Sequence, residues 1–358
     1  MDLRVCLISL EYFKWGRYGG VGKVCREIGE GLAKRGVEVS VVVPRSENQQ
    51  KIERVDDVKV YSHPLQMYPF TGRIYKKIDA DVFHSQDPSW GTLIAINKMK
   101  IKYHVVTCQN PKSHDDWNKV QRFYPSRRLL YNRIIEPSVR GCLKRADSVF
   151  CQAKYVRTKA RSIYGLDYTP EFLPNPVTVP IAQPCKTEQP TVLFLGRLDG
   201  EKKPEQFCML AKRFTQIHFI VAGKAHNLER DAMLRERFAS FDNLEFRGFI
   251  DGEEKRKALE ESWILINTSV SECLPVSFLE ASANRCAILS AHDPDGFSSS
   301  FGFHVRDGDY SRGLTWLLKD DKWREQGVKG YNYVKKVHEK EHVTDLHIQK
   351  YEELMDSR

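Results

Sequence analysis

The feature that most constrains the fold is an alternation of short apolar runs with amphipathic stretches, and it occurs twice along the 358 residues. The apolar runs are rich in Val, Ile, Leu and Phe and end at polar or glycine-containing turns, as buried strands do. Strands that alternate with helices form a parallel sheet with helices packed on it. The sequence therefore predicts an α/β protein with two successive doubly wound domains.

The predicted elements fall into two series. The first has strands at 3–9, 37–43, 58–61, 81–84, 103–107 and 148–151, with helices at 22–34, 87–98, 129–144 and 154–164. The second has strands at 192–195, 218–221, 244–246, 264–267 and 287–290, with helices at 204–213, 228–238, 252–261 and 275–284. Residues 173–190 are rich in Pro, Gln and Thr, which indicates a linker. We therefore expect an N-terminal domain over 1–172, a C-terminal domain over 191–330 and a charged helical end over 331–358.

The cysteines and histidines argue against disulfide and metal chemistry. The nine cysteines are odd in number and include no C-x-x-C pair, which favours reduced thiols in a cytoplasmic protein. The eleven histidines show no H-E-x-x-H motif, and we expect no bound metal. No apolar run approaches the ~20 residues that span a bilayer, and the first ten residues read as a strand, not as a signal peptide.

Positive charge is concentrated in residues 98–161. This segment holds 16 Lys and Arg against four acids, whereas the whole chain has a formal net charge of +9. A local excess of this size suggests an anionic partner such as phospholipid headgroups, a lipid phosphate or nucleic acid. Nucleic acid is the poorest fit, because the chain has no recognised nucleic-acid-binding motif.

Two carboxylates flank the helix that is predicted after the strand 264–267. Glu272 lies in the loop before this helix, Pro275 at its first position and Glu280 inside it. Proline suits a first helical position, where a missing N–H has no partner to lose. The free amides of the first turn, with the helix dipole, form an anion site between the carboxylates. The arrangement suits a nucleotide sugar, with hydroxyls at both ends and a diphosphate between them; two ordinary surface glutamates are the alternative.

A second polar loop follows the predicted strand 192–195. It reads G-R-L-D-G-E-K-K-P and places Arg197 five residues before Lys202. Arginine can bind a phosphate bidentately, and lysine adds a compact charge. The loop is therefore a candidate for binding a diphosphate, and a solvated charged loop is the alternative.

The glycine-rich turn Gly19-Gly20-Val21-Gly22 opens the first predicted helix. The loop before it is too long for the dinucleotide-binding fingerprint, and the second strand ends in Pro44-Arg45 without an acid for a ribose. A nicotinamide-dependent oxidoreductase is therefore disfavoured, whereas a glycine-rich turn without a ligand stays open.

Taken together, these loops resemble the motifs of the retaining GT-B glycosyltransferases of family 4. The resemblance rests on the G-R-L loop with Lys202, on the E-x7-E pair Glu272 and Glu280, and on the glycine-rich turn that begins at Gly19. Residues 172–177, F-L-P-N-P-V, are similar to the family's interdomain segment, with a second proline where the family usually has glycine. The motifs occur in the family's order over nearly the whole chain.

The resemblance implies two Rossmann-like domains facing across a cleft, with the last helix, within 331–358, crossing back to the N-terminal domain. It also implies retaining transfer of a sugar from a nucleotide-diphosphate sugar to a hydroxyl acceptor, without a metal or other cofactor. By the same resemblance, Arg197 and Lys202 would bind the diphosphate, and the backbone at Gly19 and Gly20 would approach it closely. Glu272 would bind sugar hydroxyls, and the amides near Leu274 would contact the sugar or the phosphate. Glu280 would bind the ribose, and Phe249 and Ile250 would contact the base.

The acceptor-side candidates follow strand ends of the first domain and are Gln86, Asp87, Gln109 and Asn110. The family often has histidine where this chain has Gln109, which can exchange hydrogen bonds but cannot titrate. Aromatic and aliphatic residues interleave with Lys and Arg over 119–135, as in helices that lie on an anionic membrane. We therefore expect a lipid-linked or glycan acceptor and peripheral attachment to the inner face of a membrane, and a solvated helix face explains the stretch equally well.

A protein from another functional class could carry the same fold. A non-catalytic GT-B partner subunit would keep the two domains without needing the charged loops. The presence of Arg197, Lys202, Glu272 and Glu280 argues against this alternative.

Overall fold

The computed structural model of the chain describes residues 3–12, 19–45, 49–123 and 136–357. Within them the chain divides into two compact units. The first unit takes the described residues of Met1–His114, Tyr124–Pro176 and His338–Arg358, and the second takes Asp115–Phe123 and Val177–Val337. Each unit contains a sheet of its own.

A mostly parallel sheet runs through the first unit. Its strands are β1 (Arg4–Ile8), β2 (Glu38–Pro44), β3 (Ile52–Val55), β4 (Val58–His63), β5 (Val82–Ser85), β6 (Tyr103–Cys108), β7 (Ser148–Cys151) and β8 (Glu171–Phe172). Their order is β3-β4-β2-β1-β5-β6-β7-β8, and β3 pairs with β4 as the antiparallel exception. The inner strands β1, β5 and β6 are buried along nearly their whole length, as expected when both faces of a parallel sheet are covered.

Helices connect these strands. They are α1 (Gly20–Lys34), α2 (Gly72–Ile78), α3 (Trp90–Lys98), α4 (His114–Val120), α5 (Glu136–Cys142) and α6 (Arg157–Tyr164), and α4 belongs to the second unit from Asp115 onward. The chain leaves α1 through Gly36, whose φ of +81° is a conformation that glycine adopts without strain. The start of α3 is fixed by a capping box between Ser89 and Thr92.

The sheet of the second unit is parallel throughout. Its strands are β9 (Thr191–Leu195), β10 (His218–Ala222), β11 (Leu244–Gly248), β12 (Ile264–Asn267), β13 (Ala287–Ser290) and β14 (Gly302–His304). Their order is β11-β10-β9-β12-β13-β14. The chain therefore starts in the middle, runs outward to β11, and then crosses to β12 and runs outward on the other side. This reversal is the mark of a doubly wound sheet.

The helices of this half of the chain are α7 (Pro204–Arg213), α8 (Leu228–Phe238), α9 (Gly252–Glu261), α10 (Val276–Ala283), α11 (Phe297–Ser300), α12 (Tyr310–Leu318), α13 (Lys322–Val337) and α14 (Lys340–Asp356). Side chains from the sheet and from α7, α8 and α12 form one apolar core, which includes Phe207, Phe219, Ile266 and Leu314. The last helix, α14, belongs to the first unit.

The predicted pair of doubly wound α/β sheets is confirmed. The predicted strands are present with ends that shift by at most two residues. The short strands β3, β8 and β14 were not predicted, because a run of two to four residues has no clear apolar period. Pro275 is the residue before α10 and not its first helical residue, since its ψ of 137° is extended. The helix predicted at 129–144 lies partly outside the described residues, and its described part ends at Cys142.

Helix α14 is bound to the rest of the first unit by buried polar contacts. The ammonium of Lys340 lies 2.7 Å from carboxylate oxygens of Glu27 and Glu30 on α1. The hydroxyl of Tyr351 lies 2.6 Å from Nδ1 of His84 on β5. These contacts join the last helix to the first helix and to the sheet.

We expect the first unit to lose stability in mild acid. Burial is the main cause that lowers the pKa of His338 and of His347 from 6.5 to about 4. A histidine with a lowered pKa in the folded state stabilises the fold above its unfolded pKa, and this contribution is lost as the pH falls towards its folded pKa. The free energy of unfolding should therefore fall by about 2 kcal/mol per histidine between pH 7 and pH 5, as measured by denaturant titration.

His342 on the same helix provides the control because its side chain is exposed. His347→Leu should reduce the fall in stability between the two pH values, whereas His342→Leu should leave it unchanged. An equal fall in the parent and in His347→Leu would show that His347 does not contribute to the acid sensitivity.

Candidate active site

The carboxyl ends of β9 and β12 are neighbours in the middle of the second sheet, where the strand order reverses. Ligands of doubly wound sheets bind at such a switch point. The two loops that leave these strands are hydrogen-bonded to each other. The amide of Val270 donates to the carbonyl of Glu201 over 2.8 Å, and the hydroxyl of Thr268 donates to the carbonyl of Lys202 over 2.8 Å. The two polar loops of the sequence are therefore brought together.

Lys202 and Glu272 form an ion pair between these loops. The ammonium of Lys202 donates to Oε1 of Glu272 over 2.7 Å, and both side chains are mostly buried. Ser269 and Asn267 donate to the same oxygen over 2.6 and 3.2 Å. Burial opposes the ionisation of Glu272, but the charge of Lys202 and these hydrogen bonds outweigh it and lower the pKa of the carboxyl. The pair therefore fixes the ammonium of Lys202 in one position.

Arg197 is held by a different set of partners. Its guanidinium donates to Asp199 over 3.0 Å and to Glu201 over 2.7 Å. It also lies 3.1 Å from Nδ1 of His226, which in turn lies 2.7 Å from the carboxylate of Asp199. Within the described residues, its contacts are to these side chains and not to Lys202 or Glu272. About a third of the Arg197 side chain, 34%, is exposed, so the oriented guanidinium can still reach an anion.

Close backbone packing supports the loop that carries Arg197. A Cβ at Gly223, which has φ of +153°, would lie 1.8 Å from the carbonyl oxygen of Gly196. The amide of Gly196 donates to the carbonyl of Ala222 over 3.0 Å. A side chain at 223 has no room, and the contact fixes the backbone from which Arg197 extends.

The helix start that was predicted as an anion site follows Glu272 directly. Leu274 is buried, and α10 begins at Val276 after the extended Pro275. The amide of Phe278 donates to the carbonyl of Pro275 over 3.0 Å, and the amides of Val276 and Ser277 lie at the positive end of the helix dipole. Glu280 is buried within the helix, and its carboxylate accepts from the ammonium of Lys255 on α9 over 2.9 Å. The second carboxylate of the motif is therefore buried and paired with a partly buried lysine.

The loop after β11 carries the two residues predicted to contact a base. Gly248 has φ of +73°, and the chain turns there. Phe249 is 40% exposed, whereas Ile250 is buried. Phe249 is therefore partly accessible from solvent, whereas the side chain of Ile250 contributes to packing.

The glycine-rich turn lies in the first unit, at the start of α1. Gly19 is the residue before the helix, and Gly20 is its first residue. A Cβ at Gly19 would lie 2.0 Å from a carboxylate oxygen of Glu11. The absence of a side chain at 19 thus lets a carboxylate approach the positive end of the helix.

The acceptor-side candidates lie at the carboxyl ends of β5 and β6. The side chain of Gln109 exchanges two hydrogen bonds with the side chain of Asn175, of 3.1 and 2.9 Å. The backbone N–H of Gln109 donates to the carboxylate of Asp87 over 3.1 Å. Gln86 is buried, and both polar atoms of its side chain lack a hydrogen-bond partner in the described part of the chain. Asn110 follows as a half-buried residue. The structure thus places Asp87 and Gln109 in hydrogen-bond contact, and Asn175 is a further hydrogen-bond partner of Gln109.

The interleaved basic and aromatic stretch lies outside the described residues from 124 to 135, so the membrane expectation attached to it stays a prediction. Among the residues that are described, no helix combines the length and the apolar character that crossing a bilayer requires. The same residues hold no group of three or more His, Cys, Asp or Glu side chains arranged for a metal ion.

Several side chains that shape the site were not singled out in the sequence. Ser269 and His226 follow strand ends, as the chosen residues do, so the same rule would have found them. Lys255 had no such signal. Asn175 lies in the segment 172–177 that resembles the family's interdomain motif, but no role near Gln109 was assigned to it. They meet Glu280 and Gln109 only because helices and loops that are distant in sequence pack together.

Comparison with known proteins supports a single family. The model described as Glycosyltransferase Family 4 matches residues 18–179, and the model described as Glycosyl transferases group 1 matches residues 181–330. No curated protein sequence is significantly similar to the chain.

Several solved structures share the fold along the whole chain. The sucrose-phosphate synthase of Thermosynechococcus elongatus matches with a TM-score of 0.80 and 16% identity, and the match covers all of both chains. HepE of Anabaena, in complex with UDP and glucose, matches with a TM-score of 0.72 and 13% identity, again over both whole chains. The catalytic domain of starch synthase IV from Arabidopsis thaliana, bound to ADP and acarbose, matches with a TM-score of 0.68 and 13% identity over 99% of each chain.

At such identities the solved structures show the fold alone, whereas the two family models follow one another along most of the chain. The two polar loops at the switch point of the second sheet lie within the second match. The chain therefore belongs to the family 4, or group 1, glycosyltransferases, which are retaining enzymes of the GT-B fold that transfer a sugar from a nucleotide sugar.

Proposed function

We propose that the loops after β9 and β12 bind the donor, with Arg197 and Lys202 on its diphosphate, Glu272 on hydroxyls of the transferred sugar and Glu280 on the ribose. The observation that carries this proposal is the mostly buried Lys202–Glu272 pair at the switch point of the sheet. It holds a cation, which can bind a phosphate, next to a carboxylate, which can accept hydrogen bonds from sugar hydroxyls. The first-turn amides of α10 add donors beside them.

This arrangement lowers the barrier to sugar transfer by stabilising the leaving group. When the anomeric C–O bond breaks, negative charge grows on the diphosphate and positive charge on the sugar. A lysine that is already oriented by Glu272 stabilises the diphosphate without reorganising, and such fixed donors are worth up to about 3–4 kcal/mol each. The departing phosphate oxygen takes the proton of the acceptor hydroxyl on the same face of the sugar, which gives retention.

The acceptor is a hydroxyl of a glycan or of a lipid-linked molecule. We assign its binding to Gln86, Asp87, Gln109 and Asn110 at the carboxyl edge of the first sheet. The buried amide of Gln86 has hydrogen-bonding capacity that the described residues do not use, and hydroxyl groups can satisfy both atoms of an amide. Gln109 cannot titrate, so it can hold an acceptor hydroxyl through hydrogen bonds but cannot exchange protons with it.

The nature of the donor can be tested directly. The relatives bind UDP in one case and ADP in another, so a thermal-shift panel of UDP-, ADP- and GDP-sugars comes first. The sugar that raises the melting temperature most is then assayed for release of the nucleoside diphosphate. No stabilisation and no release with any donor would favour a non-catalytic partner subunit.

We expect Glu280→Gln to raise the KM for the donor by about tenfold or more with a small change in kcat. Hydrogen bonds from ribose hydroxyls to a charged group contribute about 1.5–3 kcal/mol, and they are made equally in the ground state and the transition state. Steady-state kinetics with varied donor concentration measure the two constants separately.

Glu260→Gln is the matched control for this substitution. Glu260 lies on α9, pairs with Arg256 near the surface, and is outside the proposed site. It should leave both constants unchanged. A parent-like donor KM in Glu280→Gln would remove Glu280 from the ribose site.

A further inference from the structure

An exposed apolar turn lies in the first unit and includes none of the residues assigned to the donor or the acceptor. The turn Leu65–Phe70 is a 3-10 helix that follows β4, and it exposes Leu65, Met67 and Phe70 by 65%, 47% and 53%. Single exposed apolar residues are common on protein surfaces, but three within six consecutive residues concentrate apolar surface in one place. Such a patch indicates a contact outside the chain.

The turn is ordered by the residues beneath it. Tyr68 is buried and stacks on Trp90, with ring centroids 5.9 Å apart and ring planes at 14°. It also meets the edge of His63, with centroids 4.7 Å apart. The hydroxyl of Thr71 donates to the carbonyl of Tyr68 over 2.9 Å. The three apolar side chains are therefore presented by a fixed backbone.

The helix that follows the turn is basic. Arg73, Lys76 and Lys77 of α2 are exposed. Residues 58–78 contain four Lys and Arg and no Asp or Glu. The next acid along the chain, Asp79, lies 3.0 Å from the ammonium of Lys102. The apolar turn is thus bordered by positive charge without a nearby acid in sequence.

We propose that this surface docks the protein on an anionic phospholipid membrane. Leu65, Met67 and Phe70 enter the boundary between headgroups and acyl chains, and the three cations of α2 bind the headgroups. Apolar side chains next to exposed Lys and Arg are the combination that interfacial segments use. A contact with a second protein copy would instead favour an apolar patch without a one-signed charged border.

The position of the surface connects it with the acceptor. Trp90, on which Tyr68 stacks, is the first residue of α3 and follows Gln86 and Asp87 by a few residues. The docking surface therefore borders the edge of the sheet to which we assign the acceptor. A membrane-held acceptor would be presented at that edge; this last step rests on the proposed function, whereas membrane docking does not.

Vesicle co-sedimentation of the full chain tests the proposal. The chain should bind vesicles of phosphatidylcholine mixed with phosphatidylglycerol, bind pure phosphatidylcholine weakly, and lose most binding at high salt. Replacing Arg73, Lys76 and Lys77 together by Gln should weaken partitioning by about a hundredfold. Replacing Leu65 and Phe70 together by Gln should weaken it by about tenfold or more.

The matched control replaces Lys212, Arg213 and Lys336 by Gln, which removes the same charge from exposed positions in the second unit. This variant should bind within about threefold of the parent. Equal weakening in the control and in the α2 variant would overturn the proposal, as would a parent that does not bind. Unchanged binding in the triple Gln variant of α2 and in the Leu65 and Phe70 variant would mean that another surface contacts the membrane. Dimerisation of the parent without vesicles, abolished by Leu65→Gln with Phe70→Gln, would identify the patch as a self-contact.

Discussion

Lys202→Met is expected to lower kcat by about 10²–10³ while the protein stays folded. The substitution keeps the unbranched side chain as far as Cε and removes the ammonium that Glu272 holds at 2.7 Å. If this ammonium stabilises the departing diphosphate, the loss appears in the transition state more than in donor binding, so kcat falls by a larger factor than KM rises. Single-turnover measurements with saturating donor separate this effect from product release.

The neighbouring residue makes a strict control. Lys203 is exposed and carries the same charge one residue further along the same loop. Lys203→Met should change kcat by less than about threefold, because exposed charges contribute little. Comparable losses in the two variants would mean that only the net charge of the loop matters. Unchanged turnover in Lys202→Met would remove this lysine from the diphosphate site.

Gly223→Ala is expected to destabilise the second unit by about 3 kcal/mol or more. The new methyl group would lie 1.8 Å from the carbonyl oxygen of Gly196, and φ of +153° is itself unfavourable for alanine. Backbone atoms cannot swing away as a flexible side chain can, so the loop that carries Arg197 must shift. Denaturant titration measures the loss of stability, and the activity of the folded fraction measures the displacement of the loop.

Gly308→Ala separates the steric effect from the effect of backbone conformation. Gly308 also has a positive φ, of +79°, but nothing lies within 4 Å of a Cβ added there. It should cost about 1 kcal/mol and leave activity unchanged. If the two alanine variants were equally stable, the close contact between Gly223 and Gly196 would not hold in solution.

The fold was predictable because strands that are covered on both faces appear in the sequence as runs of apolar residues. The strand Ile264–Asn267 and the helices Pro204–Arg213 and Gly252–Glu261 were predicted with the bounds that the structure has. Short edge strands were missed, since Gly302–His304 reads G-F-H and has no period. Pro275 was predicted inside a helix because φ suits a helix start, but its extended ψ depends on the loop before it.

The candidate site was predictable only as far as local sequence determines it. Arg197, Lys202 and Glu272 follow strand ends, and the switch-point rule places such loops at one edge of a sheet. The partners of those residues depend on packing. Lys255 meets Glu280 through the approach of two helices, and no spacing in the sequence encodes that contact. The ion pair between Lys202 and Glu272, 70 residues apart, was likewise visible only in three dimensions.

The most direct test of diphosphate binding is calorimetric titration with a nucleoside diphosphate and with the matching monophosphate, for the nucleoside that the donor panel selects. If Arg197 and Lys202 bind the second phosphate, the parent should bind the diphosphate at least about tenfold more tightly. In the double variant Arg197→Met with Lys202→Met, the two ligands should bind within about twofold of each other. A parent that does not distinguish the two ligands, or a double variant that keeps the full preference, would contradict the assignment of these two cations to the leaving diphosphate.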